Sequence, residues 1–232
     1  MAAIAKDVRI ARNQARTRVR LSETSKLGCL SWSLIARDTC PGSIDPKTKA
    51  LVPACSGCYA VGGNYRYPNV KEPREFNRED WQREDWADDM VHALMGETHF
   101  RWFDSGDCYA LGLTEKILDV MRRTPWCKHW LPTRMHKFEK FSAVISEMQS
   151  LPNVVVRPSS DSILGEFTPG VHGSTIVPTA DASPAEAFVC GAYTREGKCG
   201  PCRKCWDKTT PLIAYPAHGK TMAKVVRLAL AA

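Results

Sequence analysis

The stretch HFRWFDSGDCYALGLTEKILDVMRRTPWCKHWLPTR, residues 99–134, decides how this chain folds. His99–Phe103 reads as a strand that ends in Asp104-Ser105-Gly106-Asp107. A helix is expected near Leu113–Arg123, with Ile117, Leu118 and Met121 on its apolar face and Thr114 capping its start. Lys128–Pro132 is the next strand, closed by Thr133 and Arg134. Strand, helix, strand at this spacing is a βαβ unit, and its two strands should pair in parallel.

The same alternation extends both ways. Downstream come a helix over Lys137–Met148 and a short buried strand, Asn153–Arg157, ending in Pro158-Ser159-Ser160-Asp161. Strands at Ser174–Pro178 and Leu212–Tyr215 follow, and an amphipathic helix covers Met222–Leu230. Upstream, Thr17–Leu21 and Ser25–Leu34 read as strands. A helix is expected from about Glu72 to Met95, with Phe76, Trp86, Met90, Val91 and Leu94 as its apolar stripe. Its Glu79, Glu84 and Asp88 read as a solvated face and His92 as structural. The expected fold is α/β, a partial (βα) barrel of about six mostly parallel strands with a cysteine-rich C-terminal loop. Residues 21–232 form one domain in this reading, behind a basic arm at residues 1–20.

Two groups of cysteines carry the chemistry. CGAYTREGKCGPCRKCW, residues 190–206, holds Cys190, Cys199, Cys202 and Cys205, the last three as C-x2-C-x2-C. Gly191, Gly197, Gly200 and Pro201 allow the loop to curl until its thiolates face one centre. Closely spaced thiolates of this kind hold iron–sulfur clusters. Zinc is the alternative, although its usual pattern is two separate C-x2-C pairs; a disulfide framework is the bland reading. The second group, Cys40, Cys55 and Cys58, lies in a loop rich in Pro, Gly and Ser after an early strand. Its fourth ligand could come from Cys29, Cys108 or Cys127, or an iron position could stay open for a substrate.

Composition narrows the classes. The chain has 232 residues and ten cysteines, with no apolar run of membrane-spanning length and no apolar signal-peptide core. A cytoplasmic protein with reduced thiols is expected. The formal charge is +7, and residues 1–20 hold six basic residues against one acidic one, so the body carries only +2. The arm could bind nucleic acid or be a solvated terminus. There is no P-loop, G-x-S-x-G elbow or H-E-x-x-H motif. Cys108 or Cys127 with His99 or His129 would be the nucleophile candidates, Asp104 and Asp107 the acid–base or turn residues. Trp206 stands beside Cys205, where it could shield a cluster.

Three segments together resemble phage-encoded proteins of the gene-product-88-like family. They are TCPG…C-x2-CYA (Thr39–Ala60), RWFDSGD (Arg101–Asp107) and C-x2-C-x2-CW (Cys199–Trp206), within a resemblance spanning roughly residues 24 to 218. The order strand, TCP, loop, CSGCYA, helix is also similar to radical-SAM-like barrels. The resemblance implies a phage or prophage origin, hence the cytoplasm of an infected bacterium, a radical-SAM-like barrel and an iron–sulfur cluster; the two cysteine groups allow one [4Fe–4S] cluster or two. It makes S-adenosylmethionine a candidate ligand, with Ser105, Gly106 and Asp107 at the site of its amine and Ser159, Ser160 and Asp161 at its ribose. The cysteine spacing departs from the usual C-x3-C-x2-C. Fourteen residues separate Cys40 from Cys55, Gly57 precedes Cys58, and Tyr59 follows it. Three functions are therefore expected, in order: an iron–sulfur redox or radical enzyme with an unknown small-molecule substrate or redox partner, an iron–sulfur electron carrier or sensor, and a zinc-stabilised nucleic-acid-binding protein.

Overall fold

The computed structural model describes residues 17–169 and 172–231. Most of the basic arm lies outside the described residues. Its last part packs on the body, with Val19 buried and the Arg20 guanidinium 4.9 Å from the centre of the Phe76 ring.

Eight strands and six helices form the described chain. In order they are β1 (Ser22–Glu23), β2 (Leu30–Trp32), α1 (Pro53–Ser56), α2 (Pro68–Asp80), α3 (Trp86–Ala93), β3 (His99–Trp102), α4 (Leu111–Arg123), β4 (Lys128–Thr133), α5 (Ser142–Ser150), β5 (Val154–Pro158), β6 (Gly173–Val177), β7 (Ala187–Val189), β8 (Leu212–Pro216) and α6 (Lys220–Leu230). Strands β1 to β5 make one sheet in sequence order, antiparallel only between β1 and β2. A second sheet, ordered β6-β8-β7, is wholly parallel. One parallel bridge, Ser159 to Ser174, links them. The α/β class and the parallel pairing agree with the sequence. A closed barrel is not formed among the described residues.

Period-two alternation sorts the first sheet into two faces. Leu30, Trp32, Phe100, Trp102, Leu131, Val154 and Val156 join the main core with the apolar sides of α3, α4 and α5. Trp32 anchors this helix-side layer, edge-on to Trp86 at 5.3 Å and to Trp102 at 6.3 Å. The opposite face carries Arg101, Trp130, Val155 and Arg157, and it receives the C-terminal cysteine loop.

Several local expectations change. Residues 17–21 form no strand, and only Leu30–Trp32 of the Ser25–Leu34 segment pairs. The helix expected over residues 72–95 breaks at Trp81–Asp85. Arg83 bridges the break through Asp80, Asp85 and Asp89. The buried residues of α2 are Arg74, Asn77 and Asp80, while Phe76 is exposed, because α2 covers a polar strand edge and not the apolar core. Thr114 does not cap α4, which starts three residues earlier; its hydroxyl donates to the carbonyls of Cys108 and Ala110. Two short 3-10 turns precede α5 where one helix was expected from Lys137. Strand β7, too short to show alternation, was not anticipated.

The turn after β3 is tightly built. Phe103 sits at φ 59° and Gly106 at φ 82°. A Cβ on Gly106 would lie 2.5 Å from the Leu34 Cβ, so only glycine fits where this turn crosses the end of β2. Among the described residues, no helix is long and apolar enough to cross a membrane.

Candidate functional site

Parallel pairing brings the C-terminal ends of β2 to β5 to one edge, and the N-terminal cysteine loop lies there. Asp107 is buried and accepts from the Thr133 hydroxyl at 2.6 Å, the Cys108 N–H at 2.8 Å and the Arg134 N–H at 2.9 Å. Burial pushes its carboxyl above the ordinary range, against the pull of those three donors. Cys40 faces Asp107. Burial, then Asp107, raises its thiol to about 12, and Cys55 and Cys58 add to the push. Burial also raises Cys55, with Arg134 opposing. Arg134 and Lys137 both reach Asp161, at 3.1 and 2.6 Å. Lys137 also donates to the Gly42 carbonyl, and a Cβ on Gly42 would meet the Arg134 Cβ at 2.5 Å. The cysteine loop is thus pressed against the end of β4. A recess of about 500 Å³ opens beside Cys40, lined also by Arg37, Asp38, Pro41, Ser43 and Tyr109.

The other candidates at this edge are engaged within the protein. The Ser105 hydroxyl donates to the Leu34 carbonyl at 2.7 Å and accepts from Arg74 Nε at 2.8 Å. Gly106 is a packing residue. Ser159 carries the bridge to β6 through its backbone. Asp104 accepts both hydrogen bonds of the Arg74 Nη2, at 2.9 and 2.8 Å, and one from the Tyr65 hydroxyl. Burial alone would raise its carboxyl; Arg74 and then Arg101 more than offset this and hold it low.

The C-terminal group lies towards the opposite edge. The Cys199 N–H donates to the Lys26 carbonyl, just before β2. Trp206 donates from its indole to the Phe100 carbonyl at 2.8 Å, near the start of β3, and packs edge-on against Trp130 at 5.2 Å. Leu27, Cys29, Trp130, Ala192, Cys199 and Trp206 form an apolar cluster, with Cys190 and Cys205 against it. Arg157, at the end of β5, holds the loop by donating to the carbonyls of Lys204, Cys205, Asp207 and Thr210, each at 3.0 Å. Burial raises the Cys205 thiol to about 11, opposed by its contact with the Tyr215 hydroxyl at 3.4 Å. Cys199 is raised by burial too, and Cys190 and Cys202 add to it. Cys202 is partly exposed at a groove of about 620 Å³ whose basic residues include Lys128, Arg203 and Lys208.

All ten cysteines are described, and none is disulfide-bonded. Among the described residues, no three His, Cys, Asp or Glu side chains converge as metal ligands do. The structure pairs neither Cys108 nor Cys127 with a histidine. Cys108 lies 3.5 Å from Asp107 and from Thr133, and His129 is held by Trp102 and Thr124.

The three segments singled out above are thus distributed over two edges of one sheet, and the whole arrangement falls within a single family match. The family model described as Gene product 88 matches residues 8–208. This chain belongs to the gene product 88 family. No curated protein and no solved structure matches it. Within this gene product 88 protein, sequence reading found the cysteines and named the polar strand ends, Arg134 among them, but gave no role to Arg74, Arg101 or Arg157. Arg74, Arg101, Arg134 and Arg157 organise both edges. A charge closing the apolar run NVVVR was the one visible sign of Arg157.

Proposed function

We propose that this gene product 88 protein is an iron–sulfur protein whose Cys190, Cys199, Cys202 and Cys205 hold a [4Fe–4S] cluster for one-electron redox chemistry. The observation that carries the reading is the setting of these thiols. They lie in a loop whose backbone is anchored by one arginine, against an apolar wall that includes two tryptophans. The donor set suits such a cluster, since it is four soft ligands in one short loop with no competing disulfide. A bound cluster would supply a donor or acceptor of single electrons. The chain's own part is to exclude water with Trp206 and Trp130 and to keep the loop closed through Arg157.

A finer reading adds a second cluster on Cys40, Cys55 and Cys58, with an open position for S-adenosylmethionine, in an incomplete barrel continued across the Ser159–Ser174 bridge. What favours it is the polar surround of that trio, where Asp107, Arg134 and Asp161 stand by the thiols.

The test is iron, zinc and acid-labile sulfide per chain after anaerobic purification. About four irons and four sulfides support one cluster, and about eight of each support two. Cys199→Ser should remove the C-terminal cluster, and Cys55→Ser should leave it in place. Zinc without sulfide would overturn the redox reading. It would leave a zinc-stabilised fold, with the basic arm a candidate for nucleic acid.

A further inference from the structure

Arg101 stands between the two cysteine groups, on the face of β3 turned away from the helices. Its Nε donates to the Phe103 carbonyl at 3.1 Å, and its guanidinium lies 4.7 Å from the centre of the Trp130 ring. Among the described residues, its two terminal nitrogens have no hydrogen-bond acceptor and no carboxylate within salt-bridge reach. Asp104, the carboxylate whose charge acts on Arg101, is already bound by both oxygens to Arg74. Burial raises the phenols of Tyr65 and Tyr215, which lie near Arg101, and keeps them uncharged. Two guanidinium groups therefore share one carboxylate. Arg157 has no carboxylate either, but four backbone carbonyls solvate it. A largely buried charge with a single carbonyl acceptor is costly.

A second orphan lies beside the first. The indole N–H of Trp130 is buried without an acceptor. The indoles of Trp32 and Trp86 are unsatisfied as well, but they pack on each other within the apolar core, away from any charge. Trp130 is 5% exposed, whereas Arg101 keeps partial contact with solvent, so a ligand would reach the guanidinium first.

We infer that Arg101 and Trp130 bind a small oxyanion, the carboxylate or phosphate group of a ligand, on the face of the sheet turned away from the helices. The free fork of the guanidinium matches two oxygens of either group, and the indole N–H supplies a third donor. The inference does not depend on a cluster, because Arg101 lacks a carboxylate partner of its own among the described residues whether or not a cluster is bound.

The experiment is calorimetric titration of the full-length protein with orthophosphate and, separately, with succinate. Arg101→Gln, Arg101→Lys and Trp130→Phe variants are titrated alongside. The wild type should bind one anion per chain, and whichever anion binds names the ligand class. Arg101→Gln should weaken binding by at least about tenfold, and Arg101→Lys, which keeps the charge and loses the fork, by about tenfold. Trp130→Phe should weaken it several-fold. If Arg101→Gln does not fold, the Lys and Phe variants carry the comparison. Absence of binding to the wild type overturns the inference. Equal binding by the variants overturns it too, and would move the anion to the groove of Lys128, Arg203 and Lys208.

Discussion

The two cysteine groups are built from the same residue type but in opposite surroundings. Cys40, Cys55 and Cys58 lie among ions, with Asp107, Arg134, Lys137 and Asp161 at the edge where the parallel strands end. Cys190, Cys199 and Cys205 lie against Trp206, Trp130 and Leu27, and the charges that reach the thiols are cations alone, Lys26 and Arg101 at Cys199 and Arg157 and Arg101 at Cys205. Thiols among ions can exchange protons and bind polar ligands. Thiols packed against tryptophan are set apart from that ionic edge. Under the function proposed above, the contrast would give ligand handling to the first group and electron storage to the second.

The comparison breaks most easily at Arg157. Replacing it by Met would leave four carbonyls of residues 204–210 without a donor, and should cost about 3–5 kcal/mol in urea unfolding. Hydrogen exchange should rise first in residues 199–210 and leave residues 40–58 protected. Equal exchange at both edges would mean the groups are not separate units.

Asp107→Asn tests the other edge. An amide sets an N–H donor among three donors, so a loss of about 1–3 kcal/mol is expected. Enhanced thiol labelling should be confined to Cys40, Cys55 and Cys58. Labelling that rises equally at Cys199 and Cys205 would count against the division.

The layer beneath both groups gives a pH test common to the two. Burial lowers the pKa of His129 to about 3, and the ring rests between Trp102 and Thr124. Folding thus favours the neutral ring. The stability it contributes is complete above the unfolded value near 6.5 and is lost as pH falls toward 3. Lowering the pH from 6.5 to 5 should cost up to about 2 kcal/mol by this group, and His129→Gln should flatten that dependence. An unchanged slope in the variant would exclude His129 as its source.

The smallest expected effect is at Trp206. Trp206→Phe keeps most of the apolar wall but removes the hydrogen bond to Phe100, a loss of about 1 kcal/mol. If the wall shields a cluster, decay in air should quicken in this variant; an unchanged decay rate would leave Trp206 a packing residue only.

Much of the framework was legible in the chain. The β3-α4-β4 segment showed its periods of two and three to four, NVVVR read as a short buried strand, and both cysteine groups stood out by their spacing. The polar residues closing each strand were also found. Their partners were not. Asp104 sits 30 residues from Arg74, and Asp161 sits 27 from Arg134, so nothing in a local window joins them. The exposed Phe76 and the buried Arg74 on α2 ran against the apolar stripe for the same reason: that helix packs on an ionic edge.

By itself, then, the sequence determined the α/β alternation, the parallel pairing and the two sets of thiols, because each rests on spacing along a few dozen residues. Tertiary structure decided that the sets lie towards opposite edges of one sheet, and that the strands divide into two sheets joined at Ser159 and Ser174. It also decided that Arg157 finds four carbonyls while Arg101 finds one. Register between distant strands sets which charges meet, and register is a property of the assembled sheet.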